Sequence, residues 1–190
     1  MGDRRRLILE VAEQIIGAQG LQGATIASIA RAAGVGVGTV YLEFGSKDDI
    51  ISALSQAKYS YILRAMRQTT MANGTFSQRL AAMMEARTRA LAEATSCGGY
   101  GMELLHCEAG AVCEVRADFW GEQLELIVDF LKVAQEAGEF RAGDPVRLAH
   151  ALLHAYGVFV PPMSLHIPQE QLKSLMNAMH ELVLDGLRSR

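Results

Sequence analysis

Positive charge is in short supply. Eighteen Lys and Arg face twenty-one Asp and Glu, for a formal net charge of −3. A general polyanion-coating role is therefore excluded, and any nucleic-acid contact must come from a local patch. Cysteine is scarce as well: Cys97, Cys107 and Cys113 are odd in number and fall within 17 residues, which builds no secreted disulfide framework and makes reduced thiols the expectation. No apolar run approaches the roughly 20 residues of a membrane-spanning helix. The first residues, with Arg4, Arg5 and Arg6, lack the apolar block of a signal peptide. A cytoplasmic protein without a membrane partner is expected. Alternating β-branched stretches bounded by turns are missing too, and with them any convincing strand. No internal repeat or low-complexity segment is evident.

What is there is a helical period along almost all of the 190 residues, half of them hydrophobic, enough to bury a core. Leu7, Ile8, Val11, Ala12, Ile15 and Ile16 repeat at i, i+4 and predict a first helix ended by Gly17 and Gly20. Thr25 is a good N-cap for a short second helix that buries Ile26, Ile29, Ala30 and Ala33 and stops at Gly34. Val37 to Phe44 reads as a third helix. Ser46 caps a long fourth, from Lys47 to about Met71, with Asp48 and Asp49 favourably placed against its dipole. Further helices are predicted over 76–94, 100–109, 112–137, 145–160 and 169–187, separated by Gly and Pro breaks.

Helix, Gly turn, short helix is the geometry of a helix-turn-helix, whose second helix enters the DNA major groove. Gly34 can take the left-handed conformation that ends a helix, while Gly36 and Gly38 would leave nothing between backbone and DNA. Free N–H groups there can face a phosphate. Thr39 and Tyr41 add hydroxyls and Lys47 a cation. The alternative is a Gly-rich turn that only lets two helices pack closely.

The order Thr25, Ile29, Ala30, Ala33-Gly34-Val35, Gly38-Thr39-Val40-Tyr41, Phe44, Ser46-Lys47-Asp48-Asp49-Ile50 resembles the N-terminal signature of the TetR family of bacterial transcriptional regulators. The resemblance implies an all-α fold: a three-helix helix-turn-helix DNA-binding domain over 1–46, then a helical bundle over 47–190 for ligand binding and dimerisation. It also implies a homodimer on a palindromic double-stranded operator, released by a small-molecule effector, with repression as the family default and no catalysis. Thr25 would cap the second helix and touch a phosphate. Val37, Gly38 and Thr39 would lie nearest the bases, Gly36 would let the backbone approach DNA, and Tyr41 and Lys47 would hold the DNA backbone. Two departures stand out. Gly36 replaces a Ser or Thr cap, and Glu43 is an acid near phosphates. Residues 1–50 carry five basic against six acidic side chains, so Arg4, Arg5 and Arg6, read as a mobile arm ahead of the first helix, become the expected phosphate or minor-groove contacts. A solvated charge run is the other reading.

For the sensor, Tyr100, Met102, His106, Phe119, Trp120, Leu124, Tyr156 and Phe159 supply the apolar and aromatic lining of a pocket, although such residues are core by default. Nine methionines suit an adaptable cavity. An apolar or aromatic effector is expected and no cofactor. An alternative is metal or thiol sensing: Cys107, Cys113 and His106 as soft-metal ligands, or Cys97 with Cys107 as a redox pair. His150 and His154 share the i, i+4 spacing of a metal pair, though a helix-interface pair is the plainer reading. Another class, a small all-helical enzyme using these groups, finds no nucleophile, base and orienting group in a recognisable arrangement.

Overall fold

A computed structural model describes residues 2–96, 101–106 and 110–188, with the side chains of His106 and Ala111 also outside the description. Among the described residues the helices are α1 (Asp3–Gly23), α2 (Ile26–Ala32), α3 (Val37–Glu43), α4 (Lys47–Thr70), α5 (Phe76–Ser96), α6 (Gly101–His106), α7 (Gly110–Glu136), α8 (Pro145–Ala155) and α9 (Gln169–Leu187). The chain folds as two compact units, residues 1–60 with 93–118, and 61–92 with 119–190.

In the first unit α1, α2 and α3 close a small core around Ile8, Ala12, Ile16, Ile29, Val40 and Phe44, joined by Ile50 and Leu54 of α4, Leu104 of α6 and Val112 of α7. Each large aliphatic side chain fully buried here stabilises by about 1.5–3 kcal/mol. Gly17 does not end α1 as expected. The helix runs through it and breaks at Gly20, at φ 73° and ψ 170°, before Ala24 caps the segment. Buried Ile16 and Leu21 on either side of Gly17 outweigh the roughly 1 kcal/mol that a glycine costs inside a helix.

The second unit is built from the remaining parts of α4, α5 and α7 with α8 and α9. Its core holds Met83, Met84, Ile127, Leu131, Leu153 and Tyr156. The carboxylate of Glu139 accepts from the N–H groups of Phe76 and Ser77 at 2.8 and 2.7 Å, so α5 is capped by a residue distant in sequence. The expected single helix over 145–160 stops at Ala155, and short 3-10 turns follow at Tyr156–Phe159 and Met163–His166. Against expectation, Pro145–His166 is long and apolar enough by composition to cross a membrane, with a mean hydropathy of 1.2. It is not one continuous α-helix, and Ala149, Leu152, Leu153, Tyr156 and Phe159 are buried in the fold.

Candidate nucleic-acid interface

The turn between α2 and α3 is fixed by local chemistry. Thr25 Oγ1 accepts from Ser28 N at 3.1 Å and Ser28 Oγ accepts from Thr25 N at 3.0 Å, a reciprocal capping box. At the other end Val35 N donates to Ala30 O at 3.0 Å and Gly34 N to Arg31 O at 3.2 Å. This Schellman pair turns the chain through Gly34 at φ 65°, a left-handed conformation that glycine adopts freely. Thr25 is thus the N-cap that the sequence predicts, and its hydroxyl is also bonded to Ser28 Oγ at 3.1 Å.

α3 is pinned by Val40 and Phe44, 0% and 2% exposed. Its opposite face carries Val37 and Tyr41, one turn apart, and Gly38 and Leu42, likewise one turn apart. Val37, Tyr41 and Leu42 are 44%, 52% and 88% exposed. So much apolar surface on one seven-residue helix serves no core and suits thymine methyl groups and the apolar parts of a groove. A Cβ on Gly38 would meet nothing within 4 Å, and one on Gly36 only Thr39 Oγ1 at 3.7 Å. Among the described residues, packing requires neither glycine. Both leave the start of α3 bare, and the side-chain cap that Gly36 lacks is absent here. Leu42 escaped the sequence reading, because an apolar residue at helical spacing looks like core.

The basic residues differ from expectation. Arg4, Arg5 and Arg6 are no mobile arm: they form the first turn of α1, which begins at Asp3. Arg6 lies between Asp3 and Glu10 at 3.7 and 3.6 Å, pairs that favour helix in this segment. Arg5 donates to the Glu43 carbonyl and its guanidinium lies 3.9 Å over the Phe44 ring, so it ties α1 to the end of α3. Arg4 is exposed. Lys47 donates to the carbonyl of Leu21, which locks the start of α4 to the end of α1. Two of its three N–H groups remain for a phosphate. Glu43 is only half-buried.

The sensor residues fall in different places. Met102 belongs to the first unit, whereas Phe119, Trp120, Leu124, Tyr156 and Phe159 belong to the second. Phe119, Tyr156 and Phe159 are buried. The Tyr156 hydroxyl lies 2.6 Å from Nδ1 of His180, and Trp120 packs edge-on against His154, ring centres 5.4 Å apart. A groove of about 310 Å³ is lined instead by Thr70, Met71, Phe76, Arg79, Leu126, Asp129, Phe130 and Val133. Tyr100, Cys97 and Cys107 lie outside the described residues, as does the His106 side chain. Cys113 accepts from Arg116 Nη2 at 3.5 Å. His154 Nδ1 lies 2.7 Å from the His150 carbonyl, which leaves Nε2 as its other ring donor or acceptor.

A capped helix, a Schellman turn and a short helix with a bare outward face, followed by a helical companion unit, define a helix-turn-helix DNA-binding regulator. Residues 8–54 match the family model described as bacterial regulatory proteins, tetR family. The match covers most of α1, all of α2 and α3 and the start of α4, so the helix-turn-helix segment is similar to that of the TetR family of transcriptional regulators. It is 24% identical over 192 residues to a fatty acid metabolism regulator protein of Bacillus subtilis, covering 96% of this chain and 95% of the relative. Among solved structures its fold is similar to the fatty acid degradation regulator FadR of Bacillus halodurans, with TM-score 0.73, 23% identity and coverage of 100% and 99%. It is equally similar to FadR of Bacillus subtilis in complex with stearoyl-CoA, with TM-score 0.73, 22% identity and coverage of 95% and 98%.

Proposed function

We propose that this chain is a cytoplasmic repressor that binds a palindromic operator as a homodimer and releases it when a small molecule occupies its C-terminal region, and that it performs no catalysis. The observation that carries the reading is the outward face of α3, where Val37, Tyr41 and Leu42 stand exposed beside a glycine that packing among the described residues does not require. Val37, Gly38 and Thr39 face the bases, Gly36 lets the backbone approach, and Thr25, Tyr41, Lys47 and Arg4 serve phosphates. Arg5 and Arg6 act first through α1. Residues 1–46 do the reading and 47–190 the sensing and pairing.

The effector has an apolar body, a reading supported by the stearoyl-CoA complex of the Bacillus subtilis relative. Coupling runs through α6 and α4. Ser55 Oγ donates to Leu104 O at 2.6 Å and Tyr59 Oη to Leu105 O at 2.7 Å, so the C-terminal carbonyls of α6 hang on α4, the helix that starts beside α3. Burial pushes the Tyr59 phenol up to about 12, which keeps it a neutral donor. An effector that favours one position of α6 shifts α4 by no more than its differential affinity for the two states.

The test is selection of bound duplexes from a random pool by the purified protein. A palindrome whose half-sites are about 34–36 Å apart, or somewhat more on deformed DNA, is expected. A pool with no enriched site would overturn the proposal.

A further inference from the structure

Arg87 stands on α5 in a stripe that is otherwise apolar. Its neighbours one turn away on that face are Met83, Met84, Ala90 and Leu91, all buried. Arg87 itself is 5% exposed. Its Nε donates to Oε1 of Gln123 on α7 at 2.7 Å. Gln123 is fully buried, and its own Nε2 donates to the Phe119 carbonyl at 3.4 Å, which fixes the amide with its oxygen toward Arg87. Among the described residues no carboxylate lies within ion-pair distance of Arg87. Among the described residues its Nη1 is buried with no hydrogen-bond partner, as is Oγ1 of Thr88, the next residue along the helix.

A guanidinium taken out of water is stabilised only by a counter-charge and by a full set of acceptors. The Gln123 amide supplies neither in full. Burial draws the Arg87 pKa down to about 10, so the side chain still carries its proton at pH 7. The fork of N–H groups that remains matches the two oxygens of a carboxylate.

We infer that Arg87 and Gln123 form an anion receptor inside the second unit, and that the effector is a monocarboxylate whose charged head docks on Nη1 of Arg87. Met83 and Met84, one turn before Arg87 on α5 and buried in the same unit, have soft, adaptable side chains suited to the apolar body of such a molecule. One guanidinium matches one carboxylate charge. A thioester carbonyl is a neutral acceptor and would leave the cation uncompensated, as Gln123 does. The inference rests on the reading of the chain as an effector-gated regulator and narrows the effector to a free organic acid.

The experiment uses the full chain on its selected operator. Butyrate, decanoate, hexadecanoate and phenylacetate are titrated, each beside its methyl ester and its coenzyme A thioester, with thermal stability and operator release as readouts. At least one free acid is expected to raise Tm and release DNA while its methyl ester does not, and Arg87→Met should weaken that response about ten- to a hundredfold, the scale of a lost charge-assisted bond. Without ligand, Arg87→Met should melt at or above the wild-type temperature, because an uncompensated buried charge has been removed. A marked fall in that Tm would make Arg87 a structural residue and overturn the proposal. So would an acid response unchanged in the variant, or no response to any free acid. Release by the thioesters alone, equal in wild type and Arg87→Met, would sink the carboxylate receptor and leave the effector-gated regulator standing.

Discussion

Gly34 and Gly38, four residues apart, have opposite reasons to exist. Gly34 sits at φ 65°, so Gly34→Ala should cost about 1–2 kcal/mol of stability through the strain of a left-handed alanine. Gly38 lies inside α3 with open space where a Cβ would be. Gly38→Ala should therefore stabilise the free protein by about 0.5–1 kcal/mol, yet weaken operator binding by about tenfold or more if the backbone meets DNA there. Thermal unfolding and a DNA titration on the same two variants check both signs. Equal operator affinity for Gly38→Ala would remove the argument for a bare α3 face. A second residue-scale effect concerns His180, on α9, which bonds to Tyr156 and lies 3.5 Å from Glu85. Burial lowers its pKa below 6.5 and outweighs Glu85, which acts upward. The unfolded chain therefore takes up the proton first. Stability from this group is complete above pH 7 and declines as pH falls through about 6.5 toward the lower folded value. His180→Gln should flatten that part of the stability curve, as urea titrations between pH 7.5 and 5 would report.

At the scale of the element, α4 is where sequence and structure agree most closely. Its start at Lys47 follows from Ser46, whose Oγ accepts from Asp49 N at 3.1 Å. The helix-turn-helix was legible for the same reason: caps and glycines act within four residues of where they stand. Long-range partners were not. Arg5 reaches Glu43 across 38 residues, and Arg87 meets Gln123 across 36; a charge in a string shows its sign but not its partner. The break at Gly20 was legible, but the passage of the helix through Gly17 was not, because burial on both sides decided it. The contacts of Ser55 and Tyr59 with α6 belong to this hidden class and make the next prediction. Tyr59→Phe removes one donor from the C-terminal carbonyls of α6 and leaves the ring buried, so stability should fall by about 0.5–1.5 kcal/mol. If α6 drives α4 through that bond, the variant should bind operator without effector as before and need more effector for release. A parallel loss of both affinities would mean that Tyr59 only holds the first unit together.

At the scale of the whole molecule, the proposed regulation at a palindrome needs two copies, and α9 of the second unit offers a surface that could pair them. Leu175 and Leu182 on α9 are two turns apart and 44% and 73% exposed, while Met176 and His180 of the same helix are buried. One face of α9 thus serves the monomer core, and among the described residues a second apolar face is left exposed. Two-fold pairing through such a stripe buries it on both copies at once. Leu182→Arg replaces an exposed side chain, so the monomer fold should survive with stability changed by no more than about 0.5 kcal/mol. Across a two-fold interface the two arginines would confront apolar surface or each other, and the dimer should dissociate at micromolar concentration in sedimentation equilibrium. Operator affinity should then fall by about 10²–10⁴, the advantage lost when the second reading head no longer follows the first onto its half-site. Contact with a half-site through α3 should persist, weakly and without cooperativity. A variant that stays dimeric and binds operator normally would place the pairing surface elsewhere, and the exposed leucines of α9 would then need a different occupant.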